Sequence, residues 1–208
     1  MSEKNYVITI TRQFGSMGGA IAKQMGKLLG IEYYDRYLVE ETAKKLNMPV
    51  SEVEENEETA YLSLMSKALE YPLRRGTNVT QDEIFGTQQE IIKNLAKEQS
   101  CIIVGRCGDF ALRNLPNAVH IYIYAPFDKR IYNCVCDLGI KKEEVKNTIV
   151  TVDESRDSYH LHYAGFYPED RATKDIMIDS SVLGIEETAD YLAEFVRRRF
   201  KLGENKTV

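Results

Sequence analysis

YVITITRQFGSMGGAIAKQMGK, residues 6–27, is the stretch whose reading decides the fold. It opens with the β-branched and aromatic run Tyr6-Val7-Ile8-Thr9-Ile10, which reads as a strand. Gly15, Ser16, Gly18 and Gly19 mark a turn, after which Ala20, Ile21, Ala22, Met25, Leu28 and Leu29 recur at helical spacing. A strand, a glycine turn and a helix N-terminus together offer backbone N–H groups and a helix dipole to an anion, usually a phosphate. The phosphate-loop pattern G-x-x-x-x-G-K-[ST] would place a lysine and a hydroxyl here. The chain has Gly18, Gly19 and Ala20 instead.

Beyond this stretch strands and helices alternate. Gly30 stops the first helix, and Ile31-Glu32-Tyr33-Tyr34 reads as a short strand ending at Asp35-Arg36. Open α/β sheets bind ligands beyond such carboxyl ends. Asp35 has two readings, a ligand-facing acid and the N-cap of a helix over Tyr37–Leu46, and both can hold at once. Residues 47–58 are polar and acidic, with Ser51 and Glu54 at capping-box spacing, and a helix is expected over Thr59–Tyr71. A breaker-rich connection with Arg74-Arg75 follows. A second capping box, Thr80 and Glu83, opens a long helix to about Gln99, with Ile84, Phe85, Ile91, Ile92, Leu95 and Ala96 on a 3.6-residue period.

Cys101-Ile102-Ile103-Val104-Gly105 is a continuous apolar run of the kind that suits a central parallel strand, and Arg106 follows it directly. Val119–Tyr124 is a fourth strand, and the helix Phe127–Leu138 carries Lys129 and Arg130 in its first turns. Cations there oppose the helix dipole, which favours a ligand-facing role. Lys141–Tyr163 reads as a long polar helix with Asp153, Arg156 and Tyr159 spaced by three. That spacing fits either a solvated intrahelical ion pair or a site. Asp175–Asp179 is a last strand and Gly184–Leu202 a last helix, whose Arg197-Arg198-Arg199 reads as a solvated end. Two helices between strands suggest a helical insertion within one domain, and the alternation implies an α/β fold with a mostly parallel sheet of about five strands and helices on both faces.

The chain has 208 residues, enough for one sizeable core with a small mobile part. A net charge of −5 argues against nonspecific nucleic-acid or membrane-surface binding. No apolar run approaches the roughly 20 residues of a membrane span and no signal-peptide profile is present, so a cytoplasmic protein is expected. Cys101, Cys107, Cys134 and Cys136 form no C-x-x-C pair and read as buried free thiols. His160 and His162, two apart on a helix, cannot chelate one metal from a shared face, so no zinc site is expected. The sheet would gather the glycine turn, Asp35-Arg36 and Gly105-Arg106 at one edge, with Arg130 and Arg156 arriving from helices. Arginine forks around an anion-binding turn suit phosphoryl groups.

These residues resemble the cytidylate kinase-like family, a divergent branch of the P-loop nucleoside monophosphate kinases. The similar segments are ITITRQFGSMGGAIAKQMGKLLGIEYYDRYLV, IFGTQQEIIKNLAKEQSCIIVGRCGDFAL, VHIYIYAPFDKRI, VDESRDSYHLHYAGF and DIMIDSSVLGIEETADYL. The resemblance implies a three-layer P-loop kinase-like fold in a single domain, with a monophosphate-binding insert at about 47–80 and a lid at about 129–165. It implies phosphoryl transfer from ATP, with Mg2+, to a CMP- or dCMP-type acceptor. By position, Gly15, Ser16, Met17, Gly18, Gly19 and Lys23 would hold donor phosphates. Arg12, Arg106, Arg130 and Arg156 would act on phosphoryl groups, Arg36 and Asp153 on the acceptor, and Asp35 would lie at the acceptor or magnesium position.

The chain departs from the branch's usual R-x-F-G-S-G-G-R at Met17 and Gly19. Arg12 or Lys23 is left to supply the missing charge, and Ser16 is the nearest hydroxyl for the metal. The alternative reading is a catalytically inactive nucleotide- or phosphate-binding protein that has lost the lysine. A small-molecule nucleotide is the expected partner, and the tyrosine-rich surface leaves a homodimer open.

Overall fold

The computed structural model describes residues 5–51, 53 and 81–203. At its centre lies a five-stranded sheet built from β1 (Val7–Arg12), β2 (Glu32–Tyr34), β3 (Cys101–Val104), β4 (Ala118–Tyr124) and β5 (Ile176–Asp179). The strand order is β2-β3-β1-β4-β5 and each pairing is parallel. A glycine turn leads from β1 into α1 (Gly18–Leu29); α2 (Arg36–Leu46) and α3 (Gln81–Glu98) come before β3, and the one-turn α4 (Gly108–Ala111) follows it. Then come α5 (Phe127–Cys136), α6 (Val145–Ala164) and α7 (Ser180–Phe200). The helix expected over Thr59–Tyr71, the pair Arg74-Arg75, and the capping-box members Glu54 and Thr80 lie outside the described residues, as does most of the expected insert at 47–80.

Strand alternation splits the core into two layers. Ile8, Ile10, Ile102, Val104, Ile121 and Ile123 face α1 and α7, where they meet Ile21, Met25, Leu192 and Val196. Val7, Cys101 and Ile103 face the other way, toward Ile91, Ile92 and Leu95 of α3. Fully apolar strands are what a parallel sheet covered on both faces requires. Three layers result, as the sequence pattern implies.

The boundaries sharpen where side chains cap. Gly30 adopts φ 66° and its N–H closes on the Gly26 carbonyl, so it ends α1 as read from sequence. The last helix begins at Ser180 rather than Gly184, because the Asp179 carboxylate caps the Ser181 N–H. Gly184 (φ 76°, ψ −171°) is instead an irregular point inside α7. The polar helix starts at Val145, with Lys141–Glu144 closed into a turn before it. Cys101, Cys107 and Cys134 are buried free thiols, whereas Cys136, at the end of α5, is exposed and departs from that expectation. Among the described residues no helix is long and apolar enough to cross a membrane.

Leu192 is fully buried where α7 covers the sheet. Leu192→Ala is expected to lower stability by about 2–5 kcal/mol in urea denaturation, a loss typical of large-to-small core changes. A change below half a kilocalorie would show that α7 does not seal this face.

Candidate functional site

The turn between β1 and α1 is a left-handed bend in which Gly15 has φ 77° and Met17, the N-cap of α1, has φ 61°. A β-carbon on Gly15 would fall 2.7 Å from Cys134 Sγ and 2.9 Å from the Arg130 carbonyl, so α5 lies directly against the turn. The first N–H groups of a helix have no intrahelical partner, and α1 begins at Gly18. Gly18 and Gly19 therefore stand at this open helix start, with Met17 before them. Ser16 is fully buried and its hydroxyl donates to the Gln13 carbonyl at 2.9 Å.

Arg12 runs from the end of β1 through a gap kept open by two glycines. A β-carbon on Gly105 (φ 72°) would fall 2.2 Å from Arg12 Nη1, and one on Gly18 would fall 2.8 Å from Arg12 Cβ. Asp35 lies 3.5 Å from Arg12 Nη2, and its other oxygen is 3.7 Å from where a Gly19 β-carbon would stand. Asp35 precedes α2 but makes no side-chain cap. Lys23 is exposed on α1, whereas the Arg12 side chain lies against Gly18 at the turn. Arg36, expected beside the acceptor, is exposed and pairs with Glu40 at 3.1 Å on its own helix, because helical spacing places the two on one solvent face.

Arg12, Arg106 and Arg156 meet at a cavity of about 710 Å³ beyond the ends of β1 and β3, also lined by Ser51, Ser155 and Tyr159. Arg106 and Cys107 both adopt left-handed backbone (φ 55° and 51°), an uncommon and costly state for residues other than glycine. Gln89 of α3 holds the Arg106 carbonyl at 3.1 Å. Burial, then the charges of Arg12 and Arg106, depress the Arg156 guanidinium to about 9, against which Asp153 and Asp35 act. A cavity that crowds guanidinium groups is built for an anion.

Arg130 and Asp153 are placed differently from expectation. The Asp153 carboxylate pairs with Arg130, not with Arg156 on its own helix. It also accepts the Phe14 N–H at 2.7 Å, while Arg130 donates to the Phe14 carbonyl at 3.2 Å. Arg130 is buried and lines neither cavity, and together with Asp153 it grips the turn. Asp153 does line a second cavity, of about 350 Å³, together with Asp157, Glu169 and Tyr122.

Sequence reasoning missed a buried charge cluster behind Arg106. Asp109 receives Lys174 Nζ at 2.5 Å and His160 Nε2 at 2.9 Å, all three side chains being almost fully buried. His160 Nδ1 lies 2.8 Å from the Phe166 carbonyl, so each ring nitrogen faces an oxygen acceptor. Burial opposes the Asp109 charge, but the His160 and Lys174 contacts outweigh it and hold the carboxyl well below its usual range. Removing one partner of such a group is far more costly than its net contribution suggests. The only hint in the sequence was Asp109 standing next to Gly105-Arg106-Cys107-Gly108. His160, weighed only as a metal ligand, proves to be a tie between α6 and the Arg106 turn.

Residues 7–182 match the model of the cytidylate kinase-like family. No curated protein matches the chain. A solved structure of an uncharacterized protein from Eubacterium ventriosum is 23% identical with a TM-score of 0.70, over 92% of this chain and 98% of that one. A shikimate kinase from Acinetobacter baumannii, in complex with shikimate, is 12% identical with a TM-score of 0.51, over 94% and 95% of the two chains. A shikimate kinase from Bacteroides thetaiotaomicron is 10% identical with a TM-score of 0.52, over 95% and 99%. These likenesses establish the three-layer fold of the P-loop kinases.

Burial, then Glu169 and Asp153, raise Asp157 from 3.8 to about 6, with His160 and Arg156 acting the other way. The folded protein thus holds this proton more tightly than the unfolded chain does. The associated stability is fully present below about pH 3.8 and is lost as pH rises through about 6. Asp157→Asn removes the charge, so its thermal midpoint should match wild type near pH 4 and exceed it by a widening margin toward pH 7. A margin that does not change with pH would contradict this assignment.

Proposed function

The chain belongs to the cytidylate kinase-like family, and from that membership we propose that it transfers a phosphoryl group from ATP to a nucleoside monophosphate, with CMP or dCMP the acceptor. The observation that carries this reading is the gathering of Arg12, Arg106 and Arg156 around one cavity beside the glycine turn. Phosphoryl transfer asks chiefly for positioning and charge neutralisation, which guanidinium groups supply without a nucleophilic side chain. The donor phosphates bind the N–H groups of the turn, and the acceptor phosphate takes Arg106 and Arg156. Arg12 stands between the two and takes over the charge of the absent lysine. Asp35, at the start of α2 and beside Gly19 in the first turn of α1, is the carboxylate that would hold magnesium. The metal would neutralise charge on the donor phosphates. One domain, with its insert at about 47–80 and its lid at about 129–165, is part of the same proposal.

A second reading, an inactive nucleotide- or phosphate-binding protein, is favoured by one specific observation. The Phe14 N–H, at the entrance of the turn, is already taken by Asp153. The two readings separate in a coupled assay of ATP and Mg2+ with a panel of nucleoside monophosphates, shikimate serving as a non-nucleotide control. Turnover confined to pyrimidine monophosphates supports the kinase. Binding without turnover across the panel supports the alternative, and neither binding nor turnover overturns both.

In the active case Arg12→Ala is expected to lower kcat by about 100-fold or more, as losing one preorganised charge-stabilising group does elsewhere. Lys23→Ala should leave kcat within about threefold, since a solvated surface charge contributes little. Equal losses in the two variants would remove Arg12 from its role.

A further inference from the structure

Three successive carbonyls of the glycine turn are held from behind by side chains of other helices. Arg130 of α5 donates to the Phe14 carbonyl at 3.2 Å, Asn133 of α5 to the Gly15 carbonyl at 2.8 Å, and Ser180 of α7 to the Ser16 carbonyl at 2.7 Å. Asp153 of α6 receives the Phe14 N–H at 2.7 Å. Because a trans peptide is planar, anchoring a carbonyl turns the following N–H to the opposite side. Ser180 thereby turns the Met17 N–H away from α7, and Arg130 turns the Gly15 N–H away from α5, while Asn133 fixes the Gly15–Ser16 peptide, whose N–H closes the turn on the Gln13 carbonyl at 3.4 Å. Ser180 also donates to the Tyr124 carbonyl at 3.1 Å, which ties the turn to the end of β4. There is no slack in this arrangement: Gly15 has no room for a β-carbon, and Met17 is held at a positive φ that a non-glycine residue seldom adopts.

We infer that Asn133 and Ser180 are positioning residues that preorganise the turn as an anion nest, so that its affinity for a diphosphate depends on α5 and α7 being docked. This rests on the reading of the turn as the donor-phosphate site. The lysine of the phosphate-loop pattern, which reaches the phosphates themselves, is absent from Gly18-Gly19-Ala20. The carbonyl anchors from α5 and α7 order the turn from the opposite side. Backbone amides bind an anion well only when they already point at it, since otherwise binding must bear the cost of ordering them.

The test measures pyrophosphate binding by calorimetry for wild type, Asn133→Leu and Ser180→Ala, together with thermal midpoints and hydrogen exchange of amides 14–19. Asn133→Leu keeps the approximate size and removes the donor without adding a charge. Each variant should weaken pyrophosphate binding by about fivefold or more, the loss of one net hydrogen bond's worth of order. Amide exchange in the turn should quicken while that of β4 stays unchanged. A lowered midpoint with unchanged pyrophosphate affinity would reduce both residues to ordinary fold supports and overturn the inference. If wild type itself binds no pyrophosphate, the donor-site reading fails. The positioning claim is then decided by exchange alone, and unchanged exchange at residues 14–19 overturns it.

Discussion

The Arg12 side chain can exist where it does only because positions 18 and 105 lack a β-carbon. That steric constraint ties together the three parts of the site. Gly18 opens α1, Gly105 ends β3, and Arg12 ends β1, so one guanidinium defines how closely the turn and the two strand ends may approach. Asp35 completes the arrangement from the start of α2, holding the cation at 3.5 Å. In a chain of net negative charge this concentration of positive charge is local and costly. Its cost shows in the depressed basicity of Arg156, which burial and two neighbouring guanidinium groups oppose.

Such crowding must be held from outside the site. The Asp109 cluster does this for the Arg106 turn. One carboxylate, buried with a lysine and a histidine, fixes α4 against α6 and so holds the left-handed backbone at Arg106 and Cys107. On the other flank, Arg130, Asp153, Asn133 and Ser180 fix the glycine turn. Both devices use groups that would be expensive to leave unpaired, which is why they rigidify what they touch. The two cavities lie between these flanks and share Arg12 and Arg156. The helices expected to form a lid are thus bound into the site by hydrogen bonds to its backbone.

Much of the scaffold was legible from contiguous residues. The run of Tyr6 to Ile10, the apolar spacing from Ala20 to Leu29 and the stop at Gly30 each express a local torsional or periodic preference, and each reappears in the structure. Arg12, Asp35, Arg106 and Arg156 were legible as well, because they fall at strand ends or on the helix that crosses them, and a parallel sheet gathers such ends. Arg36 was not. One position beyond Asp35 on the helix, it turns to the solvent face and Glu40. Sequence spacing also suggested an Asp153–Arg156 pair, but packing brought Arg130 from α5 to the acid instead.

The sequence by itself determined a strand, a glycine turn and a helix in succession, an alternating α/β sheet buried on both faces, and a set of arginines at its carboxyl edge. Only the tertiary structure decided what those groups do to one another. Asp153 meets the Phe14 N–H 139 residues away, Ser180 the Ser16 carbonyl 164 away, and Asp109 its lysine 65 away. The reason is physical. Periodicity and turn chemistry are encoded in neighbours along the chain, whereas partner choice depends on the rotation and docking of whole helices, which the burial of many dispersed apolar residues sets together.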